Sequence, residues 1–377
     1  MRAQVFRYAL PLRKPLTLRG QHLSERTGFL LKLSDTDGSV GWGDAAPLPG
    51  FSRESMDECE TALRAFAALA AERTFSDLFD DHCDVRVPRP NVPASVSFAM
   101  ESALFSSAMT HYETTETPAI RCNALLGGGR KEVLAKAGTL KEKGFNCAKL
   151  KVGSRALAED VKLVHEVWEI LGPDCGLRLD ANRAWNLETA CAFAKQIRAC
   201  TVEYIEEPLQ DPLDLPRLQE EAGLSYALDE TIQALPATSN TRELLDHILT
   251  ETLHVWRGAK AWVWKPTLLH APMLHAALTG LAKGLECGGN PAPKLVLSAS
   301  FESGVGIAAL ARYAANAASA DTPAGLDTYE WLAKDVLLAP LPISGGRIDL
   351  NAVASAAVHV NERVLASIAE NRLTGTA

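Results

Sequence analysis

No stretch of the chain approaches the roughly 18 apolar residues of a membrane span, so a membrane protein is not expected. The opening residues, Met1-Arg-Ala-Gln-Val-Phe-Arg-Tyr8, lack the apolar run of a secretory signal, and the expected compartment is the cytoplasm. Basic excess is also missing. With Lys+Arg 38 against Asp+Glu 46, the formal charge of -8 argues against nucleic acid or an anionic membrane surface as partner. None of the 8 cysteines forms Cys-x-x-Cys, and no Cys/His cluster has zinc spacing. They read as scattered reduced thiols. No low-complexity linker interrupts the sequence. What remains is 377 residues at 47% hydrophobic content, enough for a sizeable core and suited to a large barrel plus a smaller domain.

The first part reads as α+β. Residues 3–10 and 27–45 have strand character, with a hairpin signal at Asp37-Gly38, and Pro47-Leu-Pro-Gly50 then breaks the chain. Helical periodicity follows from Met56 to Ala71 and from Ala94 to Thr110. From about Pro118 the rhythm changes to short apolar segments alternating with helical ones. Eight such segments, ending near Leu125, Val152, Asp180, Glu206, Asp229, Lys265, Ser300 and Thr328, predict a closed parallel barrel. The expected organisation is a capping domain over 1–115, a barrel domain over 116–328 and a C-terminal segment over 329–377 that returns to the cap. A last helix is expected over Asn361 to Ala369, and an extra helix or loop within Thr231 to Lys260.

Polar residues recur where the barrel strands end. The second carries Lys149 and Lys151, which a strand places on one face while Ala148, Leu150 and Val152 point the other way. The third ends in Asp180-Ala-Asn182, the fourth in Glu206-Glu-Pro208, the fifth in Asp229-Glu230 and the sixth in Lys265-Pro266. The intervals between the carboxylates each suit one strand–helix unit, so all three should meet at the C-terminal mouth of the barrel. Converging carboxylates need a cation, and all-oxygen ligation favours Mg2+, or Mn2+, over zinc. Lys149 and Lys151 would flank that ion from one side and Lys265 from the other. A small-molecule carboxylate bound there could lose its α-proton to a lysine whose pKa is depressed by the ion and a second ammonium. Glu207 and Glu230 read as capping partners rather than ligands. Any single strand-end acid is more often a helix cap or a surface residue; the ordered set on five successive strands is the specific signal.

That set resembles the enolase superfamily, and lysines on both sides point to its muconate-lactonizing-enzyme subgroup. The resemblance covers nearly the whole chain and implies a modified TIM barrel, (β/α)7β, with an N-terminal α+β capping domain. Longer strings resemble the o-succinylbenzoate synthase family of that subgroup: Gly41-Trp-Gly-Asp44 with Pro47-Leu-Pro-Gly-Phe-Ser52, Arg178-Leu-Asp-Ala-Asn-Arg-Ala-Trp185, Lys265-Pro-Thr-Leu268, Ser298-Ala-Ser-Phe-Glu-Ser303 and Gly325-Leu-Asp-Thr328. The resemblance implies dehydration of 2-succinyl-6-hydroxy-2,4-cyclohexadiene-1-carboxylate to o-succinylbenzoate in menaquinone biosynthesis. It implies Asp180, Glu206 and Asp229 as Mg2+ ligands and Lys151 as the residue that takes the α-proton and returns it to the departing hydroxyl. Lys265 would face the planar enediolate, and Lys149 would tune Lys151. Asn182 and Arg178 would support the site, while Ser298, Ser300 and the backbone near Gly325 would hold the succinyl end. The interval from Asp229 to Lys265 is longer than the family pattern.

Rival readings remain open. An N-acylamino acid racemase or dipeptide epimerase would use Lys151 and Lys265 as opposed acid/base groups. A Schiff-base aldolase would need no metal, and a non-catalytic carboxylate-binding barrel would need no lysine pair. Gly127-Gly-Gly129 lacks a phosphate-loop pattern and reads as a turn. Glu302-Ser-Gly-Val-Gly306 opens a helix whose amides could hold an anion.

Overall fold

The structure, a computed structural model, describes residues 1–70, 92–108, 119–236, 241–269, 271–289, 291–317 and 321–370. Cys83 and the expected domain boundary near 115 lie outside these residues.

The chain begins with three antiparallel strands, β1 (Arg2–Leu18), β2 (Gln21–Ser34) and β3 (Val40–Ala45), followed by helices α1 (Met56–Ala70) and α2 (Ala94–Ala108). Strand alternation gives this sheet two buried faces. Phe29, Leu31 and Leu33 pack with Cys59, Leu63, Phe66, Val96 and Met100 of the two helices. Leu30, with Phe6, Tyr8 and Trp42, faces the core of the rest of the molecule. The string Gly41-Trp-Gly-Asp44 follows the same period. A Cβ on Gly41 or Gly43 would lie 1.9 or 1.8 Å from the Ala103 or Ala99 carbonyl oxygen, so α2 rests directly on the β3 backbone. Trp42 and Asp44 point the other way.

The second body is a parallel sheet in sequential order, with strands β5 (Ala124–Leu126), β6 (Cys147–Lys151), β7 (Gly176–Asp180), β8 (Tyr204–Glu206), β9 (Tyr226–Leu228), β10 (Ala261–Trp264) and β11 (Lys294–Leu297). An eighth segment closes it. Ala324 bridges Cys122 at the first strand and Gly325 bridges Ser298 at the last, both parallel. Gly325 N donates to the Leu297 carbonyl at 2.8 Å, and Ala299 N donates to the Gly325 carbonyl at 2.9 Å. The closing strand is thus a pair of residues rather than the segment up to Thr328, because Asp327–Trp331 turns into a 3-10 helix. A small antiparallel sheet of β4 (Ala119–Arg121), β12 (Ile343–Ser344) and β13 (Arg347–Asp349) stands beside it.

The intervening helices are α3 (Arg130–Thr139), α4 (Leu157–Leu171), α5 (Leu187–Gln196), α6 (Leu215–Ala222), α7 (Glu230–Gln233), α8 (Thr241–His247), α9 (Leu253–Gly258), α10 (Ala271–Cys287) and α11 (Gly304–Ala317), with α12 (Leu350–Ala357) in the tail. The long interval before Lys265 holds α7, α8, one π-helical turn at Ile248–Thr252 and α9.

The tail overturns one expectation. Asn361 to Ala369 is not a helix: a 3-10 turn at Glu362–Val364 leads into β14 (Ala366–Glu370), which pairs antiparallel with β1. A free edge of the capping sheet supplies hydrogen-bond partners that outweigh local helix preference in so short a segment.

Two buried side chains tie the cap to the barrel. Arg26, 1% exposed, donates to the carbonyls of Thr27, Ala46 and Pro47 in the cap and of Ser300 and Phe301 in the loop after β11. Asp44 accepts from Tyr8 Oη at 2.8 Å and from Ser303 N and Oγ at 2.9 and 2.8 Å. The anion expected at the start of α11 is therefore the protein's own carboxylate. Burial pushes Asp44 up from the usual carboxylate range to about 6, against these hydrogen bonds. An acid with a raised folded-state pKa stabilises most below its unfolded value and loses that contribution as pH rises through the folded one. Asp44→Asn should therefore gain on the parent between pH 4 and pH 7, by about 2 kcal/mol. Paired denaturant midpoints at the two pH values measure this; a pH-independent gap would contradict it.

Candidate active site

The strand ends place the polar set together. β6 and β7 pair with Lys149 opposite Arg178 and Lys151 opposite Asp180; β7 and β8 pair with Asp180 opposite Glu206. Lys149 Nζ lies 3.1 and 3.2 Å from the two Glu206 oxygens and 3.3 Å from Asp180 Oδ2. Lys151 Nζ donates to Asp180 Oδ2 at 2.6 Å and to Asn182 Oδ1 at 2.7 Å. Lys265 Nζ donates to Asp229 Oδ2 from the other wall, and Gln233 Nε2 donates to Asp229 Oδ1 at 2.5 Å. All three carboxylates are about 1% exposed.

Burial favours the neutral acid, but Lys151 and Lys149 hold Asp180 well below the usual carboxylate range. Burial likewise works on Asp229, which Lys265 keeps low. Glu206 goes the opposite way: burial, with Asp180 and Asp229 beside it, raises it well above the usual range despite Lys149. Burial would lower Lys149 and Lys265, yet the facing carboxylates raise both. At these two positions the protein groups alone favour the ammonium.

A hard divalent cation fits this donor set. Three buried carboxylates sit on adjacent strands, and the effect of burial, Asp180 and Asp229 that raises Glu206 is one that a cation beside it would reverse. Among the described residues, no three His, Cys, Asp or Glu side chains are arranged as a ready cage. The contacts show why: each carboxylate has a lysine ammonium on an oxygen that a cation would take.

The supporting layer is tightly held. Glu207, fully buried, accepts from Asp229 N at 2.9 Å and Thr231 N at 2.7 Å, and its other oxygen accepts from Arg183 Nε at 3.0 Å. Asn182, Arg183 and Glu207 have φ of 44, 60 and 40°, left-handed positions that non-glycine residues occupy at a cost. These bonds hold that strained turn under the lysines. Asn182 Nδ2 donates to Glu230 Oε1 at 2.9 Å. The capping role read for Glu207 matches these contacts.

Residues 1–106 match the family described as MenC, N-terminal domain, and residues 132–243 match Enolase C-terminal domain-like. An o-succinylbenzoate synthase of Klebsiella pneumoniae is 31% identical over 345 residues, covering 91% of this chain and 95% of that protein. The chain belongs to the o-succinylbenzoate synthase family of the enolase superfamily. Protein PHYLLO, chloroplastic, of Arabidopsis thaliana is 31% identical over 359 residues, 84% of this chain, and the chain spans only 20% of its length. Among solved structures, the L-Ala-D/L-Glu epimerase from Bacillus subtilis superposes with a TM-score of 0.70 at 20% identity, covering 92% of this chain and 95% of that one. A muconate lactonizing enzyme from Pseudomonas fluorescens gives 0.69 at 19%, covering 92% of each chain. These two likenesses show the fold.

In this member of the o-succinylbenzoate synthase family a cleft of about 80 Å³ opens above the lysines. Lys149, Lys151, Asp180, Asn182, Lys265, Ser298, Ser300 and Gly325 all line it. Ser300 Oγ is buried with no hydrogen-bond partner, so it is available to a ligand. Ser298 Oγ donates to the Gly325 carbonyl at 3.4 Å, and a Cβ on Gly325 would lie 2.7 Å from it, so glycine is needed for this close approach. Arg178 lies below the cleft rather than in its lining. It donates to Glu203 at 2.8 Å, Asn123 at 3.3 Å and the Pro323 carbonyl at 2.8 Å, and so ties β7 to the closing strand. Sequence reasoning missed Asp327, which lines the cleft and accepts from Leu125 N and Lys136 Nζ at 2.7 Å each. It also missed Leu18; Leu48 and Phe51, which complete the cleft's apolar roof, lie in the Pro47 to Ser52 string that carries the family resemblance. A motif search keyed to strand ends passes over residues of the closing turn and the cap.

Glu207→Ala removes the acceptor of two amides and one guanidinium in a buried layer. It should cost about 3 kcal/mol in denaturant unfolding. Parent-like stability would refute the assigned role.

Proposed function

We infer that the protein dehydrates 2-succinyl-6-hydroxy-2,4-cyclohexadiene-1-carboxylate to o-succinylbenzoate, a carbon–oxygen lyase step of menaquinone biosynthesis. Family membership supports the substrate. The observation that carries the mechanism is the inequality of the opposed lysines. Lys151 is 38% exposed to the cleft, whereas Lys265 is 12% exposed and fastened to Asp229. Lys151 reaches the open cleft, where it can move a proton; Lys265 is the buried, fixed positive charge.

In this reading Asp180, Glu206 and Asp229 hold Mg2+, or Mn2+. The ion supplies positive charge opposite the substrate carboxylate as electrons move onto it. Neutral Lys151 takes the proton α to that carboxylate, and the electron pair of the C–H bond moves toward the carboxylate. The resulting ammonium then returns the proton to the hydroxyl that leaves as water, and the ring becomes aromatic. Lys265 faces the planar intermediate as a cation, and Lys149 holds Glu206 and Asp180 in place beside Lys151. Ser298, Ser300 and the Gly325 backbone are proposed to take the succinyl arm, with Arg178 as support beneath. The free thiols at Cys59, Cys122, Cys147, Cys175, Cys191, Cys200 and Cys287 favour a reducing compartment, here the cytoplasm. No helix among the described residues is long and apolar enough to cross a membrane.

The test is loss of diene absorbance when the protein is mixed with Mg2+ and the cyclohexadiene substrate. Lys151→Ala should lose about 10³-fold or more in kcat, and EDTA should abolish turnover. No turnover by the parent, or full rate in the variant, would overturn substrate or mechanism respectively. Lys265→Arg separates this reading from a racemase: dehydration should fall in rate but persist, while a two-base racemisation of acylated amino acids would stop.

A further inference from the structure

Arg19 stands at the tip of the β1–β2 hairpin, in a left-handed turn with Gly20 (φ 45 and 78°). It is half-exposed, yet its guanidinium is fixed on three sides. It stacks on the Phe51 ring at 4.1 Å, donates to the Gly50 carbonyl at 3.2 Å and lies 3.8 Å from Glu230 Oε1. Both cap segments that roof the cleft therefore meet in this one side chain.

Glu230 is the point of contact on the barrel, and it is only 4% exposed. Its Oε1 also accepts from Asn182 Nδ2, and Asn182 Oδ1 accepts from Lys151 Nζ. Its Oε2 has no hydrogen-bond partner. A continuous chain thus runs from the cap tip through Glu230 and Asn182 to the lysine assigned as base. Asn182 sits at a strained φ, so its side-chain direction depends on these two partners. Phe51, under Arg19, lies 6.0 Å from Lys265 Nζ, which brings the second wall within the same contact set. A cleft of about 80 Å³ is far below the roughly 300 Å³ usual for a ligand site, so the roof must lift for substrate to enter.

We propose that Arg19 is a positioning residue: by docking on Glu230 when the cap tip closes, it sets Asn182, and through it Lys151, in the orientation for proton transfer. The proposal rests on the assignment of Lys151 as base. A half-exposed ion pair at this distance adds little stability; its effect here is directional, because Arg19 is the guanidinium on Glu230 among the described residues and Asn182 passes the constraint on.

The test compares parent, Arg19→Ala, Arg19→Lys, Glu230→Gln and the Arg19→Ala/Glu230→Gln double variant, each with Mg2+ and the cyclohexadiene substrate. Arg19→Ala should lower kcat about tenfold with KM changed less than about threefold, and Arg19→Lys should recover part of that loss. The double variant should be no slower than Glu230→Gln alone. An effect confined to KM, or losses that multiply in the double variant, would overturn the proposal and make Arg19 a direct substrate contact. A second readout needs no turnover. In the substrate-free protein, amide hydrogen exchange over residues 230–233 should quicken in Arg19→Ala, and unchanged exchange would overturn the docking. If the parent fails to consume the diene, the assigned reaction falls, while exchange still decides whether Arg19 docks on Glu230.

Discussion

Three carboxylates are buried within hydrogen-bond reach of three lysines at the mouth of a closed barrel, and the rest of the site follows from keeping that charge in place. Buried charges are tolerable only when paired and fully hydrogen-bonded. Asp180 and Asp229 meet this condition through Lys149, Lys151, Lys265 and Gln233. Glu206 does not, because two like charges flank it and one lysine faces it. The repulsion among three carboxylates held so close together is the physical reason the site suits a divalent cation. It also explains the density of the layer behind. Glu207 pins the backbone of the next strand end, and Arg183 pins Glu207. The left-handed residues at 182, 183 and 207 persist because these bonds over-determine them.

The cap is fastened to the barrel most densely near its base. Near the barrel rim Arg26 binds carbonyls on both bodies, Asp44 seats the first turn of α11, and Arg53 donates to the Gln233 carbonyl at 2.6 Å and to that of Leu235. The β1–β2 pairing is regular up to Pro11, slips before Leu16, and ends in the Arg19–Gly20 turn over the cleft. A sheet anchored at its base with an irregular outer hairpin can move its tip without disturbing the sites that locate the cap. Leu18, Leu48 and Phe51 form the apolar side of the cleft that faces the lysines.

Much of this was legible in sequence because barrel strands write their polar ends next to their apolar bodies. Lys149, Lys151, Asp180, Glu206, Asp229 and Lys265 could be read because each ends a recognisable strand, and order along the chain equals order around the barrel. The helices that start at Met56 and Gly304 could also be read from the sequence. The closing strand was harder, since it contributes only Ala324 and Gly325 to pairing and its remaining apolar residues turn away. The tail was misread because β14 takes its structure from the β1 edge, not from its own preferences. Spacing along a strand likewise reveals the like charge beside Lys149 but not the carboxylates that outweigh it.

The contacts least visible in sequence are those that join the cap to the barrel, and they are where specificity can reside. The barrel is shared with an L-Ala-D/L-Glu epimerase and a muconate lactonizing enzyme, at about 20% identity. A lysine on each wall serves a one-base or a two-base reaction equally well, so the barrel's charged set does not choose between them. What can choose is how far each lysine is free to act on a bound ligand. Here Lys265 is held against Asp229 under Phe51, whereas Lys151 is open to the cleft and steered by Asn182. Both constraints end in cap residues, Phe51 directly and Asn182 by way of Glu230 and Arg19. The asymmetry that suits a single moving proton is therefore imposed from the cap onto a barrel that is symmetric in its chemistry.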